Sequence, residues 1–119
     1  MNQDLRTGWE QIDDEECRRA TGIVELIGRR WSSAIMLAMA RGAERFSELL
    51  ASVIGLSDRM LALRLKELEH AGLIDRVVEP TTPVTVRYLL TAQGRDLLTA
   101  LQPLVRYGQT WERAESKHD

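Results

Sequence analysis

Apolar positions recur along this chain at two periods, and the change of period divides it. Ala20, Ile23, Val24 and Ile27 follow helical spacing after a polar start. They predict a first helix running to about Leu26 and stopping near Gly28. Trp31 to Arg41 is apolar almost all round and ends at Gly42, and a short helix without a polar face belongs at the centre of a core. Phe46 to Val53 carries Phe46, Leu49, Leu50 and Val53 on one stripe. Ile54-Gly55-Leu56 then predicts a tight turn. Ser57 caps the next helix, with Asp58 against the positive end of its dipole. That helix places Leu61, Leu65 and Leu68 at i, i+4 and i+7 and stops at Gly72. Two helices joined by a short turn containing Gly form a helix-turn-helix pattern.

After Gly72 the period becomes that of a strand. Leu73 to Val78 and Val84 to Leu89 are β-branched runs around Glu79-Pro80-Thr81-Thr82-Pro83, a hairpin whose proline-containing tip cannot be helical. Thr91 caps a last helix bearing Leu97, Leu98, Leu101, Leu104, Val105 and Trp111. Pro103 inside it is expected to kink or interrupt it near Gln102. The expected fold is mainly α with a small β-hairpin (α+β), a winged helix-turn-helix with additional N- and C-terminal helices. Residues 1–28 would form an arm and first helix, 29–90 the core, 91–113 the C-terminal helix and 114–119 a tail.

Length and composition narrow the classes. A chain of 119 residues has room for one domain and not two. With 44% hydrophobic and 29% charged residues it has the balance of a globular protein, not a disordered one. The longest apolar run, Ala34 to Ala40, is far too short to cross a bilayer, so no membrane partner is expected. The amino terminus, with Asp4, Glu10 and Asp13 to Glu16, lacks the layout of a secretory signal, and a cytoplasmic protein is the expectation. One cysteine builds neither an internal disulfide framework nor a multi-cysteine zinc site. The net charge of −2 conceals a gradient: residues 1–28 carry −4, 29–76 carry +2, and 77–119 balance. For a nucleic-acid binder, a locally basic face counts for more than the total.

With the Leu61, Leu65 and Leu68 seam inward, about 100° per residue turns Arg59, Leu63, Lys66 and His70 outward, with Met60, Ala62 and Glu67 on the flanks. A helix-turn-helix offers such a face to the major groove of double-stranded DNA. Arg59 can donate two hydrogen bonds to a guanine edge, and Ala62 and Leu63 can pack on thymine methyls. Ser57, the first-turn amides and Lys66 suit phosphates. Arg64 lies beside the core seam and has two readings, a phosphate contact or a structural ion pair. The whole face also has a plainer reading, as solvated helix surface; the hairpin that follows and the basic middle favour DNA. The wing tip itself carries no Lys or Arg and begins with Glu79. Arg76 and Arg87 lie in the strands, and Thr81, Thr82 and Thr85 offer only hydrogen bonds. A structural hairpin with a modest backbone contact is the expectation there.

Other chemistry is sparse. No Gly-rich phosphate loop follows a strand, and His70 and His118 have no partners at metal-ligand spacing. Cys17 and the histidines form no recognisable nucleophile–base arrangement. Neither an enzyme, a metal nor a cofactor is expected. Trp9, Ile12, the Ala20/Ile23/Val24/Ile27 stripe, Leu101, Leu104, Val105 and Trp111 exceed what one small winged helix needs for its core. They point to a homodimer interface, although part of the stripe can close over the central helix instead.

Taken in order, these blocks resemble the HxlR-type family of bacterial winged-helix transcription regulators. The resemblance rests on Cys17 to Trp31 with its Leu26-Ile27-Gly28-Arg29-Arg30-Trp31, on Arg45 to Leu49, and on Gly55 to Leu61. It continues through Arg64 to Glu69, Gly72 to Arg76, and Pro83 to Thr91 with Gly94, so that it covers Cys17 to about Gly108. It implies a homodimer reading a pseudo-palindromic operator, with the terminal helices at the dimer interface. It also implies that Arg45, the Ser57 to Leu63 segment (Asp58 and Met60 included) and the hairpin, with Thr85 and Arg87, face DNA. Three departures stand out: Arg87 where an acidic residue is common, Tyr107-Gly108 for a frequent Trp-Gly, and Leu63 at an often polar position. In several relatives a cysteine at the Cys17 position senses oxidants or electrophiles. Arg18, Arg19 and a nearby helix start would favour its thiolate, whereas Glu15 and Glu16 oppose it. A small side chain packing at the helix start is the alternative. Two further functional readings stay open: a winged-helix protein-interaction module without DNA binding, and a regulator answering to a noncovalent small-molecule inducer.

Overall fold

A computed structural model describes residues 9–116, and side chains as far as Trp111. From Asp14 on, the described residues form five helices and one hairpin in order: α1 Asp14–Ile27, α2 Ser32–Ala40, α3 Phe46–Ser52, α4 Asp58–His70, β1 Ile74–Glu79, β2 Thr85–Leu90 and α5 Ala92–Ser116. α1 starts in a capping box. The Asp13 carboxylate accepts from the Glu16 amide at 2.8 Å, and the Glu16 carboxylate accepts from the Asp13 amide at 3.4 Å. Asp14, Glu15 and Glu16 fill its first turn, where the dipole favours them.

α2 is the centre of the core. Ile35, Met36, Ala38 and Met39 are buried there against Leu49 and Val53 of the α3 segment and Leu61, Leu65 and Leu68 of α4. The α3–α4 turn passes through Gly55 at φ +90°, a left-handed backbone that glycine adopts without strain, and buries Leu56 beneath it. Ser57 then caps α4, its hydroxyl oxygen accepting from the Met60 amide at 3.1 Å.

β1 and β2 pair antiparallel, from Ile74 opposite Leu90 to Glu79 opposite Thr85. Both strands sit one residue later than the β-branched runs predict. The Leu73 amide still closes the end of α4 by donating to the Leu68 carbonyl at 3.0 Å, so pairing starts only at Ile74. Thr91 caps α5 as expected: its hydroxyl accepts from the Gly94 amide at 3.0 Å and donates to the Gly72 carbonyl at 2.7 Å.

One expectation for α5 is narrowed and another corrected. The helix runs through Pro103 without interruption. Proline removes the one bond its own amide would have made to the Thr99 carbonyl, and both residues are exposed, where water can take that carbonyl. The helix also continues to Ser116, so 114–116 are helical and not tail. His118 lies outside the described residues.

Candidate nucleic-acid interface

α4 turns Leu61, Leu65 and Leu68 into the core, and that fixes what faces out. Asp58, Arg59, Ala62, Leu63, Lys66 and His70 are all exposed, and Met60 is half-buried on the flank. Because Ser57 occupies the Met60 amide, the amides of Asp58 and Arg59 are the first-turn donors left for an anion. Arg59 and Lys66 form no ion pair among the described residues. Arg45 is exposed at the start of α3, likewise without an ion-pair partner among them.

Three residues expected at the DNA face are engaged elsewhere. Arg64 has a side chain only 12% exposed; its Nε donates to the Arg30 carbonyl at 2.9 Å and its Nη1 meets the Glu67 carboxylate at 3.0 Å. The second Glu67 oxygen takes Arg29 at 2.9 Å. Of the two readings of Arg64, the geometry is that of the structural ion pair. Arg87 turns from the wing onto the loop before α3, donating from Nε to the Glu44 carboxylate at 2.9 Å and from Nη2 to the same oxygen. Its Nη1 lies 3.7 Å from Glu79. The pairing with Glu44 raises its pKa above the usual guanidinium value, through the hydrogen bond first and charge second. The Thr85 hydroxyl shares a 3.1 Å hydrogen bond with Thr81, whose own hydroxyl lies 2.8 Å from the Pro83 carbonyl.

Glu44 and Glu48 belong to this region although sequence reasoning passed over them. One Glu48 oxygen accepts from the amides of Glu44 at 2.9 Å and Arg45 at 3.0 Å. Those backbone bonds hold its carboxyl below the ordinary carboxylate range. A glutamate three residues into a helix was the available signal for Glu48. Nothing local marks Glu44, whose cationic partner is on a distant strand.

Away from α4, Cys17 is exposed in the second turn of α1. That differs from the alternative of a small packing residue. Arg19, expected to favour its thiolate, is paired with Glu15 at 2.9 Å. The apolar surplus is also largely on the surface: Trp9 is 72%, Leu104 60% and Trp111 59% exposed, with Ile12, Ile23 and Val105 exposed and Leu101 half-buried. Tyr107 joins them, its ring centroid 6.3 Å from that of Trp111. No helix among the described residues is long and apolar enough to cross a membrane. Nor does any group of three or more His, Cys, Asp or Glu among them stand as a metal site.

A family model described as HxlR-like helix-turn-helix matches residues 26–116. The chain belongs to this family. Among its relatives, the uncharacterised helix-turn-helix transcriptional regulator YvaP of Bacillus subtilis is 38% identical over 97 residues, 82% of this chain and 90% of YvaP. The transcriptional regulator YodB of the same organism is 39% identical over 95 residues, 80% of this chain and 81% of YodB. The crystal structure of diamide-treated YodB superimposes with a TM-score of 0.70 at 32% identity, over 84% of this chain and 95% of that one. The redox regulator HypR in its reduced form gives a TM-score of 0.75 at 28% identity, over 83% of this chain and 98% of HypR. The chain is thus a transcription regulator of the HxlR type, and its fold is the winged helix-turn-helix of these relatives.

Proposed function

We propose that this HxlR-type regulator is a cytoplasmic homodimer that binds a pseudo-palindromic operator in double-stranded DNA, with α4 of each subunit in the major groove. The observation that carries the reading is the outer face of α4: two cations without an ion-pair partner among the described residues, Arg59 and Lys66, flank the small apolar surface of Ala62 and Leu63, opposite a fully buried leucine seam. Arg59, near the helix start, is where base edges are met; Lys66, Arg45 and the free amides of Asp58 and Arg59 serve phosphates. Arg64 braces α4 through the Arg30 carbonyl and Glu67, and Arg87 ties the wing to Glu44 ahead of α3. Exposed apolar side chains on the terminal segments, from Trp9 and Ile23 to Leu104 and Trp111, supply the subunit interface.

Signal reception at Cys17 is part of the proposal. Its support is the exposed thiol and the likeness to HypR, a redox regulator, and to YodB, whose structure was determined after diamide treatment. With one cysteine per chain, oxidation joins two copies by losing two protons and two electrons to an oxidant such as diamide; with a small thiol present the same loss gives a mixed disulfide, and a peroxide that transfers one oxygen and leaves as water or alcohol gives a sulfenic acid.

The test is a mobility shift on the intergenic duplex beside the protein's own coding sequence, against a random duplex of equal length. Binding is expected to fall steeply with salt, and Arg59→Ala to weaken it about tenfold or more. Diamide is expected to release the wild type and not Cys17→Ser. A response that survives in Cys17→Ser moves the signal to a noncovalent ligand. The engaged wing arginine and the uncharged wing tip favour one other reading, a protein-interaction module; salt-insensitive binding to a protein, with none to duplex DNA, would support it over the first.

A further inference from the structure

We propose that Arg87 and Glu44 form a clamp that positions the wing against the start of α3, so that Arg87 serves DNA binding by setting geometry and not by touching phosphate. This rests on the DNA-binding reading above. Glu44 receives two consecutive residues of β2 at once. Its carboxylate takes Nε and Nη2 of Arg87, and its carbonyl accepts from the Tyr88 amide at 2.7 Å. The same residue is fixed from the other side, because its amide donates to Glu48 at 2.9 Å. An unbroken chain of polar contacts therefore runs Glu48–Glu44–Arg87–Glu79, from α3 to the far strand of the hairpin.

Arg45 is the next residue along, exposed, with its amide on the same Glu48 oxygen. Whatever fixes Glu44 fixes where the Arg45 guanidinium starts from and how far the wing stands from it. A phosphate approaching Arg87 would meet two carboxylates already within 4.0 Å of that guanidinium, Glu44 and Glu79. Direct contact would have to overcome both. The clamp also covers the free edge of β2 with backbone from the α2–α3 loop, which locks strand position more firmly than a side-chain pair alone.

The two roles predict opposite signs for one substitution. Glu44→Gln removes a negative charge beside a DNA-binding face. If Arg87 were a phosphate ligand restrained by Glu44, the variant would bind the intergenic duplex more tightly. If the pair positions the wing, the variant binds about tenfold more weakly, as does Arg87→Gln, and the double variant loses little beyond either single one. Arg87→Gln should leave the salt slope unchanged, whereas loss of a phosphate ligand would make it shallower by about one. Native-state hydrogen exchange at the Tyr88 amide provides a readout without DNA, and it should quicken in both single variants. Tighter binding by Glu44→Gln, or unchanged Tyr88 exchange, overturns the clamp. A wild-type protein that binds no duplex would instead remove the DNA reading and the positioning role with it, leaving the exchange to decide whether the clamp holds the hairpin.

Discussion

Glu48 shows what a single exposed carboxylate can do when it is placed three residues into a helix. Two consecutive amides converge on one of its oxygens, and they favour its ionised form over the neutral one. Its folded pKa lies below the ordinary value, so its stabilising effect is present above that ordinary value. The effect is lost as pH falls through it toward the folded value. Urea unfolding at stepped pH should show Glu48→Gln less stable than wild type near neutrality, with the gap closing in acid. A gap that persists below the carboxylate range would mean that the charge is not the source. At this scale the sequence was readable where partners are close in the chain. The Ser57 cap and the outward Arg59 and Lys66 follow from spacing alone. The partner of Arg87 does not, since Glu44 meets it only after the chain has passed through α3, α4 and β1.

Among the elements, the helix-turn-helix and the hairpin were legible from local signals: a helical apolar period for α3 and α4, and β-branched runs flanking a proline-containing tip for the strands. The close approach of α5 to the α4–β1 link was not, and it falls at one residue. Gly94 is buried where a Cβ would lie 2.1 Å from the Leu73 carbonyl oxygen, in the stretch where α4 gives way to β1. The resemblance included Gly94 without giving a reason, and contact with backbone from a separate element is one that periodicity cannot display. Gly94→Ala should destabilise the fold by about 1–3 kcal/mol, because backbone must shift to admit the methyl. Chemical denaturation compared with Gly108→Ala, where the added carbon meets nothing within 4 Å, isolates that effect. For a related reason, Pro103 does not end the helix. Its cost depends on whether the lost acceptor can reach water, and the exposure of α5 there belongs to tertiary structure.

For the molecule as a whole, the surplus of apolar positions in the terminal segments was legible as a count, and the structure shows that surplus largely uncovered. Leu104, Val105, Tyr107 and Trp111 lie exposed along one helix. In the proposed dimer this stretch is buried, so Leu104→Asp should raise the dimer dissociation constant by about a hundredfold or more. Sedimentation velocity over a concentration series measures it. An unchanged sedimentation profile would assign the interface elsewhere. The charge gradient has its meaning at this scale too, because the acidic α1 and the free cations of α4 sit on different elements, and a total near zero hides both.

The indole of Trp31 also limits how such a molecule can diversify. Its outer edge stands 3.3 Å from where a Cβ on Gly55 would be, and the glycine's own backbone is left-handed. Both obstacles act on one link, the turn from which α4 is launched. Descendants of this sequence therefore have little freedom to re-aim that helix by rebuilding its approach. In the proposed DNA complex, new preferences would then come from exchanging side chains at Arg59, Leu63 and Lys66 on a launch angle inherited unchanged.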